Sequence, residues 1–113
     1  MIKRFNVGPR MSDAVTYNQT IYYTSVPTVD DECAYAQMTS ILEDIDAVLA
    51  QNGSDKSKIL DVTIFLVNDE DFDEMNRAWD DWVDAENSPV RCTVRAGLMR
   101  PQWKMEVKII AAV

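Results

Sequence analysis

The stretch Ile59-Leu60-Asp61-Val62-Thr63-Ile64-Phe65-Leu66-Val67 lies at the middle of the chain and decides its fold class. It is rich in β-branched residues and alternates, which predicts a strand. Leu60, Val62, Ile64 and Leu66 share one face. Asp61, Thr63, Phe65 and Val67 share the other, which turns apolar toward its end.

A helix is predicted on each side of that strand. Upstream, Ala34, Met38, Ile41, Leu42, Ile45, Val48 and Leu49 follow the spacing of one helical face. Asp30 to Glu32 place negative charge at its N-terminal end, and Gly53 follows Asn52 where a left-handed C-terminal cap belongs. A polar loop runs from Ser54 to Ser57. Downstream, Phe72, Met75, Trp79, Trp82 and Val83 form the apolar stripe of a helix over about residues 70–85, stopped by Asn87-Ser88-Pro89.

Strands fill the two ends of the chain. Lys3 to Val7 precedes Gly8-Pro9. Ala14 to Tyr17 and Ile21 to Thr24 flank Asn18-Gln19 as a hairpin, ended by Pro27. Val90 to Ala96 alternates, with Arg91, Thr93 and Arg95 opposite a core-like set of Cys92, Val94 and Ala96. Lys104 to Val113 sets Met105, Val107 and Ile109 against Glu106, Lys108 and Ile110. The expected order is β-β-β-α-β-α-β-β in one domain over residues 1–113, an α+β fold with two helices packed on one face of a mixed sheet. Tyr22, Phe65 and Ile110 on the other face suggest cover by another subunit; the alternative is a sheet with one wet face.

Composition narrows the chemistry. The 113 residues contain no His, which removes Ser-His and Cys-His nucleophilic pairs and most catalytic zinc sites. Cys33 and Cys92 are too few for a zinc cluster or a disulfide framework, and no metal or cofactor is expected. The start Met1-Ile2-Lys3-Arg4 has no apolar signal segment behind it, and no apolar run is long enough to span a membrane. A reduced, cytoplasmic protein that binds no membrane is the expectation.

Nineteen acids against eleven bases give a formal charge of −8, which disfavours nucleic acid. Residues 69–86 alone carry nine acids against Arg77, a net −8, while residues 90–113 carry five bases against Glu106, a net +4. Arg4, Arg10, Arg95, Arg100 and Lys104 are scattered, with only Phe5 and Trp103 interleaved, and read as solvated charges. The basic C-terminal segment suits a small anion instead.

Three polar residues stand out. Arg91 opens a strand behind Ser88-Pro89-Val90; it is either a carboxylate clamp or a surface arginine paired with an acid. Glu106 sits inside an apolar strand; it either activates a water or pairs with Lys104 or Lys108. Asn76 borders the stripe of the second helix, where a structural amide is the simplest role. Trp79 and Trp82 read as core or interface.

Pro89-Val90-Arg91-Cys92-Thr93-Val94 followed by Met105-Glu106-Val107, with fifteen residues from Arg91 to Glu106, resembles the signature of the Rid family, the reactive intermediate deaminases also called the YjgF family. Pro9 to Val15, Ala36 to Thr39, Val62 to Leu66 and Asp71 to Asn76 resemble its other segments, so the likeness spans nearly the whole chain. The resemblance implies a chorismate-mutase-like fold and a homotrimer with small-carboxylate clefts between subunits. It implies that Arg91 and the Thr93 N–H grip the carboxylate of an imino acid. It further implies that Glu106 positions the attacking water and that Asn76 lies near the cleft. The implied activity is hydrolysis of 2-imino acids to 2-oxo acids and ammonia. Two departures mark a divergent subgroup: Met11 stands where active members have Tyr, and Tyr23-Thr24 where they have Ser-Gly. Both positions line the cleft in the family. The alternatives are a non-catalytic sensor of small carboxylates using the same cleft and, less in keeping with the charge, an RNA-cleaving role.

Overall fold

The computed structural model describes residues 1–30 and 33–113. The strands are β1 (Lys3–Phe5), β2 (Ala14–Tyr17), β3 (Thr20–Ser25), β4 (Ile59–Leu66), β5 (Val90–Arg95) and β6 (Met105–Ala112). Two helices, α1 (Ala34–Gln51) and α2 (Phe72–Trp82), complete the expected order. The strands form one sheet in the order β1-β2-β3-β6-β4-β5, antiparallel throughout except for the parallel β4–β5 edge. The parallel step exists because α2 connects β4 to β5 as a crossover.

Local chemistry sets the element ends. Asn18 and Gln19 both take positive φ, 49° and 58°, so the β2–β3 hairpin closes through the tight turn whose twist matches its strands, without a glycine. Gly53, at φ 71°, ends α1: its N–H donates to Ala50 O and the Ser54 N–H to Leu49 O. These bonds satisfy two of the carbonyls that a helix end leaves open. The acidic N-terminal flank expected for α1 falls largely on Asp31 and Glu32, which lie outside the described residues.

Register divides the sheet into rows. On the inner face, Tyr23, Ile109, Val62 and Arg91 lie side by side, as do Ser25, Val107, Ile64 and Thr93. The apolar members of these rows are buried in one core with Met38, Ile41, Leu42, Ile45 and Leu49 of α1 and Met75, Ala78 and Trp79 of α2. On the outer face one row runs Val15, Tyr22, Ile110, Asp61, Val90, and another Glu106, Phe65, Val94. No element of the described chain lies over these rows, and Tyr22 and Val94 are each 42% exposed.

Four expectations need correction. Leu60 does not share a face with Val62: a bulge between Ile59 and Asp61 puts Ile59 in the core and leaves Leu60 52% exposed. The helix predicted over 70–85 is shorter. Its first turn is the tighter 3-10 form over Asp69–Asp71, and it ends at Trp82 because Val83 turns extended at ψ 142°. The first strand stops at Phe5 rather than Val7, where Asn6 takes φ 50°. Cys92 and Val94 are exposed on the outer face of the protomer; Arg91 and Thr93, read as the polar side of that strand, point toward the helices.

Tyr23 ties the sheet to α1. Its hydroxyl donates to Asp44 Oδ2 at 2.5 Å, and Ser25 Oγ donates to the same oxygen at 2.6 Å. Burial first, then the Asp44 carboxylate, push the Tyr23 phenol well above its ordinary value. A raised phenol pKa favours the neutral form in the fold, so this contribution is whole below about pH 10 and fades as pH rises beyond it. Tyr23→Phe should cost about 1 kcal/mol at pH 7. Urea unfolding at pH 7 and pH 11 should show that difference narrowing at the higher pH.

Candidate functional site

The edge strand β5 and the helix α2 make the site. Arg91 opens β5 immediately after Pro89-Val90, and its row on the sheet aims it at α2. Its guanidinium carbon lies 5.2 Å from the centre of the Trp79 ring, within cation–π range. Trp79 is 7% exposed and packs its ring at 5.4 Å from that of Trp82. Burial pulls the Arg91 guanidinium below the usual arginine value, and Asp80 pulls weakly the other way.

Among the described residues no carboxylate forms an ion pair with Arg91. The contrast with its neighbours is informative. Arg77 pairs with Glu74 at 2.8 Å, Arg95 with Asp69 at 3.2 Å and Lys104 with Asp71 at 3.4 Å. Arg91 is more buried than Arg77 or Arg95, yet its donors are not taken up by an acid. A half-buried guanidinium in that state keeps its bidentate donors open to a carboxylate.

Thr93 lies two residues along the same face. Its Oγ1 is buried and makes no hydrogen bond among the described residues. Burying a hydroxyl without a partner costs free energy, so such an atom marks a place where a further group fits. Asn76 sits one turn before Trp79 on α2, half-buried, and no hydrogen bond of its amide appears among the described residues.

The remaining sequence-predicted residues are elsewhere in the protomer. Glu106 is half-buried on the outer face beside Phe65, without an ion pair among the described residues. Lys104, one of its two candidate partners, turns instead to Asp71. Arg91 and Glu106 therefore point to opposite sides of the sheet. Tyr23 shares the inner row of Arg91, but Ile109 and Val62 stand between them, about 14 Å at three strand spacings. Its hydroxyl is engaged by Asp44. Met11 is 75% exposed in the β1–β2 connection, where its carbonyl accepts from the Gly8 N–H at 2.8 Å. A cavity of about 330 Å³ lies under β1–β3 against α1, lined by Tyr23, Asp13 and Asp44 among others, and includes neither Arg91 nor Glu106.

Sequence reasoning missed two contributors. Trp79 reads from the sequence as core or interface, and its contact with the Arg91 guanidinium on β5 is a further feature. Gln37, 1% exposed on α1, donates to Gln102 O and accepts from the Lys104 N–H, both at 2.9 Å. It pins the loop between β5 and β6, which no periodic signal on a buried helix face would have disclosed.

The family model described as Endoribonuclease L-PSP matches residues 1–113. The RutC family protein YoaB of Escherichia coli K12 is 54% identical over 112 residues, covering 99% of this chain and 98% of that one. A RutC family protein of Haemophilus influenzae is 41% identical, covering 97% of each. Among solved structures, a putative translation initiation inhibitor from Salmonella typhimurium superposes with a TM-score of 0.92 at 54% identity, covering 99% of this chain and 97% of that one. A YjgF family member from Neisseria meningitidis gives 0.94 at 42%, covering 99% and 94%. The fold and site thus define a protein of the α+β class with a half-buried arginine at a sheet edge that, among the described residues, no carboxylate pairs. The chain belongs to the Endoribonuclease L-PSP family, the YjgF/RutC or Rid family.

Thr93→Val keeps the shape of the side chain and removes the orphaned hydroxyl. It should leave the protein as stable or stabilise it by up to ~1 kcal/mol in urea unfolding; a clear loss of stability would show that the hydroxyl has a structural partner.

Proposed function

We propose that the protein hydrolyses small 2-imino acids to 2-oxo acids and ammonia. The observation that carries this reading is Arg91: a half-buried guanidinium that no carboxylate pairs, beside the unbonded hydroxyl of Thr93. A carboxylate of that substrate class fits Arg91 in a bidentate manner, assisted by the Thr93 N–H on the edge strand. Family membership supports a role on small molecules and assembly into oligomers.

The reaction needs neither metal nor imidazole. The carbon of a protonated imine is already electrophilic. Holding the carboxylate fixes that carbon, and a water placed by Glu106 adds to it. Glu106 accepts a proton from the water and returns it to the departing nitrogen. The carbon–nitrogen bond then breaks and ammonia leaves as the hydroxyl gives its remaining proton to Glu106, so that the water oxygen becomes the oxygen of the 2-oxo acid.

Arg91 and Glu106 project from opposite faces of one sheet, so a site that uses both takes them from two copies. The apolar outer face supplies the reason for assembly: Tyr22, Phe65, Ile110 and Val94 lack cover in the protomer. We place the edge strand of one protomer against the outer face of the next, in a closed homotrimer. Light scattering should give about three times the 12.9 kDa chain mass; a monomer at assay concentration would remove the shared site.

With an imino acid generated in situ by an amino-acid oxidase, Arg91→Ala should fall to the buffer rate, and Glu106→Gln should lose about 100-fold in kcat. Each variant alone keeps about a hundredth of the activity or less. Unfolded together in equal amounts and refolded, they should recover about a quarter of wild-type activity, because about three-quarters of random trimers are mixed and each mixed trimer holds one intact Arg91–Glu106 pair in three. No recovery would mean that both residues act within one copy.

A second reading has an observation of its own. The Tyr23 phenol is held by Asp44, three strand spacings from Arg91 of the same copy, and so is not beside it to replace the family's tyrosine at Met11. A carboxylate sensor using the same Arg91 would show binding by calorimetry, lost in Arg91→Ala, with no turnover.

A further inference from the structure

The feature that the proposed chemistry does not use is the ring under Arg91. We propose that Trp79 is a positioning residue: its indole face seats the Arg91 guanidinium and holds it ready for the ligand carboxylate. This inference rests on the reading of Arg91 as a carboxylate clamp.

The choice of an aromatic seat has a chemical logic. A guanidinium in a half-buried site must be held by something. A carboxylate would hold it through its N–H edge, take up the bidentate donors and cancel the charge that recruits the ligand. An indole attracts the cation through its face, so the in-plane N–H groups stay free. Trp has the most electron-rich face of the three aromatic residues, and the attraction strengthens where water is excluded.

The seat is itself anchored. Trp79 is nearly enclosed in the core, and the tilted Trp82 ring packs against it at an interplanar angle of 55°. The Trp82 indole N–H donates to Asp46 of α1 at 3.0 Å, and Lys56 Nζ lies 5.4 Å from the centre of its ring. Arg91 thus rests on a stack that joins both helices. The half-buried backbone on which Arg91 sits adds a second restraint, since β5 is paired to β4 through Val62↔Arg91. With the rotamers of a long side chain fixed in advance, less ordering entropy remains to be lost when the anion binds.

The probe is pyruvate, a stable 2-oxo acid. In calorimetry, Trp79→Phe should raise its Kd about three- to tenfold, with Trp79→Tyr between Phe and the wild type, in the order of ring attraction for a cation. Trp79→Leu, without a ring, should be weaker still. In turnover of imino acids the change should appear in KM, with kcat at saturation within about twofold of wild type, because the chemical step is left to Glu106 and water. Protein labelled with 5-fluorotryptophan supplies a readout that packing alone would not move. Its Trp79 fluorine resonance, assigned by loss in Trp79→Phe, should shift on adding pyruvate and stay still in Arg91→Ala. Where Trp79→Leu fails to fold, the labelled protein carries the affinity test as well: the same shape with a weaker face should raise Kd about twofold. Affinity unchanged in labelled protein or in a folded Trp79→Leu, with binding lost in Arg91→Ala, overturns the seat and leaves the clamp standing. Wild-type affinity in Arg91→Ala overturns the clamp, and the seat with it.

Discussion

Both helices of this protein pack on the same side of a six-stranded sheet, and nearly every property described above follows from that constraint. Because side chains alternate along a strand, one parity goes under the helices and the other is left facing outward. The core rows Tyr23–Ile109–Val62 and Ser25–Val107–Ile64 are inward, and each continues across β4 onto the edge strand, where it ends in a polar residue. Those two row ends are Arg91 and Thr93. The candidate site is what the inner face becomes where the sheet runs out and α2 alone still covers it.

The same parity sends Glu106 the other way. The charged partner for the proposed chemistry lies among Phe65, Val94 and the rest of an uncovered apolar face. Catalysis and assembly are therefore linked in the proposed function through one surface. In that reading, an outer face with aromatic and aliphatic side chains would give the association its driving force, and the half-buried carboxylate within it would meet a neighbour's arginine. A single copy holds Arg91 and Glu106 on opposite faces.

Much of this could be read before any coordinates. Periodicity located every strand and both helices, because two of the strands alternate cleanly and α1 has an unbroken apolar stripe. The Gly53 cap and the Asn18-Gln19 turn were legible because few residues fit those backbone shapes. What stayed hidden depended on register. Alternation in Val90 to Ala96 shows that Arg91 and Cys92 face opposite ways, but not which way is inward, and an apolar Cys92 and Val94 suggested the wrong side. The family likeness named Arg91 and Glu106 together; only the pairing of β4 with β5 and β6 shows that they part company. Trp79 was visible as a core residue, and its contact with a cation was not, since that depends on which strand lies under α2.

The bulge at Leu60 has a bearing on how such a chain tolerates change in length. Ile59 faces the core and Asp61 faces outward, so the residue between them is surplus to the alternation. Strand β4 would keep the parity of every residue from Asp61 to Leu66 with Leu60 removed, and hence the alignment of Val62 with Arg91 and of Phe65 with Glu106. The strand that carries the register of the whole site thus absorbs a one-residue insertion at its entrance. A length change there keeps the parity of β4, whereas one placed three residues later would turn the rest of β4 over, its inward residues outward and its outward ones inward.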